Sequence, residues 1–130
     1  MTALSDIIAR LEAGEAIDPN EYADLEVAIH NAAFPPEEPA TWCGPYMHTG
    51  SGSFVRDGRW YPVPKYLQSM DSADRLMPEG WRIYDLHESD DRTQAHCHAE
   101  RISDRRLVES GLVATKALAL CIAALKARLA

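Results

Sequence analysis

The amino-acid sequence predicts an α+β fold in which an antiparallel sheet of about four strands, built from two hairpins, packs against N-terminal and C-terminal helices. Two observations predict this fold. Apolar residues recur at helical spacing at both ends of the chain, and two pairs of strand-like segments joined by turn sequences lie between them. The chain has 130 residues, 46% of them hydrophobic, which suffices for the core of a single domain over residues 1–130.

The N-terminal segment, residues 1–33, is predicted to form two acidic helices. Its first large aliphatic residues follow the spacing i, i+3, i+4 and i+7, which places them on one helix face. They are Leu4, Ile7, Ile8 and Leu11. Gly14 suits the end of this helix, and Asp18-Pro19 supplies a capping carboxylate and a first-turn proline for the next one. Pro35-Pro36 must end that second helix because proline cannot continue it.

The middle segment, residues 34–66, holds six of the eight prolines and seven of the ten aromatic residues. A flexible linker would be polar, so these aromatic side chains are expected to be buried or to bind a partner. Residues 54–56 and 59–61 flank Asp57-Gly58, a dipeptide typical of the type I′ turn of a β-hairpin. This register places Phe54 opposite Tyr61 and Arg56 opposite Arg59.

The C-terminal segment, residues 67–130, is predicted to contain a short helix over residues 67–77, a second hairpin and a final helix. The hairpin joins residues 81–88 to residues 93–102, with Glu88 opposite Thr93. Its core face is predicted to carry Tyr84, Leu86, Ala95, Cys97 and Ala99. Its other face is predicted to carry Trp81, Ile83, Asp85, His87, His96, His98 and Glu100. Thr115 suits the N-cap of the final helix, whose apolar stripe is Leu118, Cys121, Ile122, Leu125 and Leu129.

The net charge of −7 is concentrated at the N-terminus. Residues 1–40 contain nine acidic side chains and one basic side chain, whereas the other ninety residues are nearly neutral. This distribution argues against general binding to nucleic acid or to a membrane surface, which requires excess lysine and arginine. Three cysteines without a CxxC motif indicate reduced thiols. The longest apolar run, residues 117–125, is shorter than the roughly 20 residues that span a bilayer, so a cytoplasmic protein is expected.

Two blocks of the sequence resemble a known family. Residues 66–73 (YLQSMDSA) and 76–81 (LMPEGW) form the first block, and residues 115–127 (TKALALCIAALKA) form the second. Together they are similar to small phage and prophage proteins with the phage α-β-α sandwich domain, although Lys116 stands where that family usually has proline. The resemblance covers roughly a quarter of the chain. It implies an α+β sandwich and a location in the cytoplasm of a bacterial host, but it assigns no catalytic residues.

The second hairpin contains a candidate metal site. His96, His98 and Glu100 point to the same side of a strand, and His87 and Asp85 can join them from the neighbouring strand. The sequence indicates no cofactor other than a metal ion at these three histidines. His98-Ala99-Glu100 also resembles the His-x-Glu of zinc-dependent nucleobase deaminases. Those enzymes require a Pro-Cys-x-x-Cys motif downstream, which this chain lacks. The alternative interpretation of these histidines is a polar sheet face without a ligand.

The first hairpin contains a candidate binding surface. Two arginines directly opposite each other destabilise a sheet unless an anion or an acidic partner lies between them. Arginine beside aromatic rings can also hold a phosphate and a base together. The residues predicted to contact a partner or ligand are Trp42, Tyr46, Phe54, Arg56, Arg59, Trp60 and Tyr61.

The sequence therefore favours a binding protein over an enzyme, because no complete catalytic set is evident in it. We expect a small phage or prophage accessory protein that binds a host protein or protein complex and inhibits a host defence factor, in the manner of anti-CRISPR proteins. One alternative is a protein that binds or sequesters a nucleotide. Another is a metal-dependent enzyme that uses His87, His96 and His98. A homodimer is compatible with each of these functions.

Overall fold

The computed structural model describes residues 3–13, 22–34, 41–42, 52–56 and 59–130. Within these residues the chain forms four helices, which are α1 (Ala3–Glu12), α2 (Tyr22–Ala33), α3 (Met70–Asp74) and α4 (Lys116–Leu129). It also forms six strands, which are β1 (Thr41–Trp42), β2 (Gly52–Arg56), β3 (Arg59–Pro62), β4 (Trp81–Glu88), β5 (Ala95–Arg101) and β6 (Leu107–Glu109). All strand pairs are antiparallel. The predicted α+β class and both predicted hairpins are confirmed.

The two hairpins belong to two different sheets, each of which gains a third strand. One sheet has the order β1-β2-β3 and the other has the order β4-β5-β6. The chain divides into two compact units, a smaller one over Glu15–Lys65 and a larger one formed by Met1–Gly14 together with Tyr66–Ala130. Among the described helices, none has both the length and the apolar character needed to cross a bilayer.

In the smaller unit, α2 packs on β1 and β2. Leu25, Ile29 and Ala33 are the buried apolar residues of this helix, and the helix ends two residues before Pro35, as predicted. Phe54 pairs with Tyr61 and Arg56 with Arg59, so the predicted register of the first hairpin is correct. The predicted caps at Gly14 and Asp18-Pro19 and the Asp57-Gly58 turn lie outside the described residues.

In the larger unit, α4 covers one face of the β4-β5-β6 sheet and lies mainly against β5, while α1 and α3 pack on α4. The buried side chains of β5 on this face are Ala95, Cys97 and Ala99. Because α4 has neighbours on several sides, it is buried around most of its circumference rather than along one stripe. Thr115 caps it, since the Thr115 hydroxyl accepts a hydrogen bond from the Leu118 amide at 3.1 Å, as predicted.

The second hairpin has a different register from the predicted one. Glu88 pairs with Ala95 instead of Thr93, so the connecting turn spans residues 89–94. Asp91 organises this longer turn, because it accepts hydrogen bonds from the hydroxyls of Ser89 at 2.6 Å and Thr93 at 2.8 Å. The residue of β5 opposite Glu88 is thus shifted by two positions from the predicted one. Because side chains in a strand alternate with a period of two, such a shift leaves every side chain on the same face. His96, Cys97 and His98 therefore keep their predicted faces.

A β-bulge at Tyr84 changes the far end of this hairpin. Ile83 pairs with Ala99 and Asp85 pairs with His98, which leaves Tyr84 as the extra residue of β4. Tyr84 is exposed, so its predicted place on the core face is wrong, and Ile83 shares the face of Ala99 instead of the predicted histidine face. The predicted helix over residues 67–77 is also shorter in the structure. It is reduced to α3 because Ser69 caps a single turn and Tyr66 and Leu67 are buried ahead of it.

The turn between β5 and β6 is held by Asp104. Its carboxylate accepts hydrogen bonds from Arg101 Nε at 2.8 Å and from the Arg106 amide at 3.2 Å. The Arg101 hydrogen bonds, followed by that of Arg106, hold the pKa of Asp104 below its ordinary value. This turn matters for the site described below because it positions β6 beside β5.

These contacts predict an acid-sensitive contribution to stability. Because the pKa of Asp104 is lowered in the folded state, its ionised carboxylate stabilises the fold above the ordinary pKa of 3.8, and this stabilisation is lost progressively as the pH falls from that value through the lower folded-state pKa. We expect the stability advantage of the wild type over Asp104→Asn to shrink between about pH 5 and pH 2. Urea unfolding at a series of pH values measures it. Asp74→Asn, on the exposed side of α3, is the control, and an equal pH dependence for both variants would contradict the role of Asp104.

Candidate metal centre

The face of the β4-β5-β6 sheet opposite α4 carries three rows of paired polar side chains. Strand alternation and register place them there, because residues paired directly across strands share a face. The first row is His87 and His96, the second is Asp85, His98 and Glu109, and the third is Arg82 and Glu100, which the apolar Leu107 of β6 extends. The first two rows bring three imidazoles and two carboxylates together on one surface.

His96, His98 and Glu109 form the better metal-binding set of this surface. Each offers one ligand atom, and the three atoms lie within 4.8 Å of one another. Glu109 Oε2 lies 3.0 Å from His98 Nε2 and 3.8 Å from His96 Nε2. Ligand atoms bound tetrahedrally to zinc at 2.0–2.1 Å are roughly 3.4 Å apart. The two measured distances lie on either side of that value, so small side-chain rotations would bring these atoms into a zinc coordination sphere.

Asp85, His87 and His96 form a second set that shares His96 with the first. Asp85 Oδ2 lies 3.1 Å from His87 Nδ1. The His87 side chain is 57% exposed, whereas those of His96 and His98 are 17% and 26% exposed. Both imidazoles of the first set are therefore more buried than that of His87. The predicted site of three histidines is thus divided, because His87 and His98 join His96 in different sets.

Glu109 was not predicted from the sequence, because β6 has three residues and no clear strand pattern. The pairing of His98 with Glu109 across β5 and β6 brings it to the site. Lys126 Nζ of α4 donates a hydrogen bond to the Glu109 backbone oxygen at 2.8 Å and lies 2.5 Å from Glu12 Oε1 of α1. This contact ties the outer strand of the sheet to the helical layer. The apolar pair Leu107-Val108, which follows a polar turn and directly precedes Glu109, is the sequence feature that could have indicated this strand.

Glu100 has another partner on the same face. Its side chain is 5% exposed and accepts hydrogen bonds from Arg82 Nη2 at 2.7 Å and Arg82 Nε at 3.2 Å. The bulge at Tyr84 makes this pair possible, since regular alternation from Asp85 would place Arg82 on the α4 side of the sheet. Glu100 is therefore neutralised by arginine and is absent from both sets of metal-ligating side chains.

The cysteine between the two histidines lies on the opposite face. Cys97 is buried, and burial, with a smaller effect of the Asp85 charge, raises the pKa of its thiol to about 11. Its side chain is on the same face as Ala95 and Ala99, away from the imidazoles of His96 and His98. Cys97 therefore belongs to the core beneath the metal site and is not one of its ligands.

The candidate surface on the first hairpin is described only in part. Arg59 and Tyr61 are exposed, and Arg56 lies directly opposite Arg59 in the β2-β3 ladder. The side chains of Trp42, Phe54, Arg56 and Trp60 lie outside the described part of the chain, as does the whole of Tyr46. The structure therefore confirms the register that underlies this prediction, and the partner-binding surface stays a prediction.

Comparisons with protein-family models, with curated proteins and with solved structures found no match to this chain. The resemblance to phage α-β-α sandwich proteins therefore stays a prediction from the two sequence blocks.

Proposed function

We propose that this protein binds a divalent transition-metal ion, with zinc as the best fit, through His96 Nε2, His98 Nε2 and an oxygen of Glu109. The observation that supports the proposal most strongly is the spacing of these three atoms, with Glu109 Oε2 at 3.0 and 3.8 Å from the two nitrogens. They come from adjacent strands in register, so the backbone holds them together without a ligand.

The chemistry of this donor set selects the class of metal. Two imidazoles and one carboxylate suit zinc and related transition-metal ions, whereas magnesium and calcium prefer sets made of oxygen atoms alone. Three protein ligands also leave at least one coordination position open on the exposed side of the sheet. An open position allows the ion to bind a donor group from another molecule.

We assign a binding role to this site, within the accessory-protein function that the sequence favours. The family resemblance and the acidic N-terminal segment support a small phage or prophage protein that acts on a host protein. The bound ion gives such a protein a directional contact with its partner, because an ion with an open coordination position can bind a histidine, cysteine or carboxylate side chain of that partner. A metal-dependent enzyme would use the same open position for a reacting water.

Zinc titration of protein purified without a histidine tag tests the site. We expect uptake of zinc by the chelator-treated wild type and no uptake of magnesium. Loss of an outer-shell partner of a metal site typically weakens binding about 10–100-fold. Loss of a direct ligand in His96→Ala or Glu109→Gln should therefore weaken zinc binding by at least about 10-fold. Isothermal titration calorimetry measures the affinity.

The matched control is Glu79→Gln, which makes the same chemical change as Glu109→Gln on an exposed carboxylate in the turn before β4. It should bind zinc as the wild type does. Absence of zinc binding by a folded wild type, or equal affinity in His96→Ala and the wild type, would contradict the proposed site. Circular dichroism of each variant separates loss of a ligand from loss of the fold.

A further inference from the structure

Two good metal ligands remain unused when His96, His98 and Glu109 hold the ion. Asp85 and His87 form a set only with His96, which the first set already occupies. The side chains of Asp85 and His87 are about half exposed and stand on the same face as the proposed ion. Each copy of the chain therefore offers three ligands for one ion together with spare donors beside it.

The contact between Asp85 and His87 resembles the arrangement of a metal-bound histidine. Histidines that bind metals almost always donate their second ring N–H to a carboxylate or a carbonyl group, which fixes the tautomer and orients the ring. Asp85 Oδ2 lies 3.1 Å from His87 Nδ1, so a proton on Nδ1 leaves the lone pair of His87 Nε2 available to a metal. The same carboxylate oxygen lies 4.0 Å from Nδ1 of His98. Asp85 thus faces the ring nitrogen that is distal to the metal on both histidines.

We propose that a second copy of this chain completes the coordination sphere, with His87 of each copy binding the ion held by the other. This inference rests on the proposed zinc site. Structural zinc sites are almost always four-coordinate and tetrahedral, and the first set provides three ligands. A two-fold symmetric contact brings the same patch of both copies together, and an axis that passes between His87 and the ion places the His87 of each copy at the open position of the other. The resulting dimer contains two ions, each with three ligands from one copy and one from the other.

Electrostatics makes this association depend on the metal. Asp85 and Glu109 lie on the face that both copies would present, and their side chains are 47% and 63% exposed. Apposing two such faces without an ion brings like-charged carboxylates together, which is unfavourable. Two zinc ions between the faces supply the compensating positive charge. We therefore expect a monomer without zinc and a dimer with one equivalent of zinc per chain.

Sedimentation velocity of the full-length, tag-free chain, titrated with zinc chloride after treatment with a chelator, tests the dimer. The mass should rise from 14.5 kDa to twice that value as zinc approaches one equivalent, and added EDTA should reverse the change. His87→Ala should take up zinc more weakly, through its three remaining ligands, and should stay monomeric. Glu79→Gln should dimerise as the wild type does.

The possible results separate this inference from the proposed function. A folded wild type that takes up no zinc would contradict both. A wild type that takes up zinc and stays monomeric would overturn the dimer alone. A zinc-dependent dimer that forms equally well in His87→Ala would also overturn it, because His87 would then not be the bridging ligand.

Discussion

Leu125→Ala is expected to lower the free energy of unfolding by about 2–5 kcal/mol, the range for deleting a fully buried leucine side chain. Leu125 has no exposed surface and lies in the part of α4 that is buried on most sides. Because α4 contacts the sheet, α1 and α3, a cavity at this position cannot be filled by movement of a single neighbour. Urea unfolding followed by circular dichroism measures the loss.

Leu129→Ala is the matched control, since it removes the same atoms from the same helix. Leu129 is 43% exposed at the end of α4, so its truncation should cost less than about 1 kcal/mol. Equal losses at the two positions would contradict the described packing of α4. These two variants also distinguish the observed packing of α4 from the sequence prediction, in which both leucines belonged to one apolar stripe.

Arg82→Ala is expected to have the second-largest effect, at about 3 kcal/mol. Removing one partner of a buried ion pair leaves an uncompensated charge, at a cost of about 3–5 kcal/mol. The Glu100 side chain is 5% exposed, but that of Arg82 is 58% exposed. Water can therefore reach part of the vacated space, which places the expected cost at the low end of that range.

A double-mutant cycle identifies the origin of this loss. Arg82→Met combined with Glu100→Leu removes both charges, and replacing a whole buried pair by apolar groups is often nearly neutral. The cycle includes both single variants, and the double variant should be more stable than Arg82→Met alone. Arg106→Ala, at an exposed arginine in the turn before β6, is the control for loss of a surface guanidinium. If Arg82→Ala lowers the free energy of unfolding no more than Arg106→Ala does, Arg82 does not stabilise the buried Glu100 side chain.

The parts of the fold that follow local rules were predictable from the sequence. The aliphatic spacing in α1 lies within two turns of one helix, and the threonine cap of α4 lies within a single turn. The register of β2 and β3 was predicted from the Asp57-Gly58 dipeptide of the sequence, and the pairing of Arg56 with Arg59 agrees with it. The side-chain alternation of β5 also placed His96 and His98 on one face.

The parts that depend on non-local contacts were not predictable. The turn after Glu88 is extended by side-chain hydrogen bonds to Asp91, and no turn rule specifies that length. The bulge at Tyr84 allows Arg82 to reach Glu100, which is a requirement of packing rather than of local sequence. Glu109 joins the site only because β6 pairs with β5. The sequence therefore predicted the histidines of the metal centre and missed its carboxylate.

Two-dimensional ¹⁵N NMR of the histidine side chains, with and without one equivalent of zinc, tests the central claim most directly. We predict that the Nε2 resonances of His96 and His98 change on zinc binding. His30 of α2 is buried and absent from both metal-ligating sets, so its resonances should stay unchanged. No change at His96 and His98, or an equal change at His30, would contradict the assignment of this sheet face as the metal-binding surface.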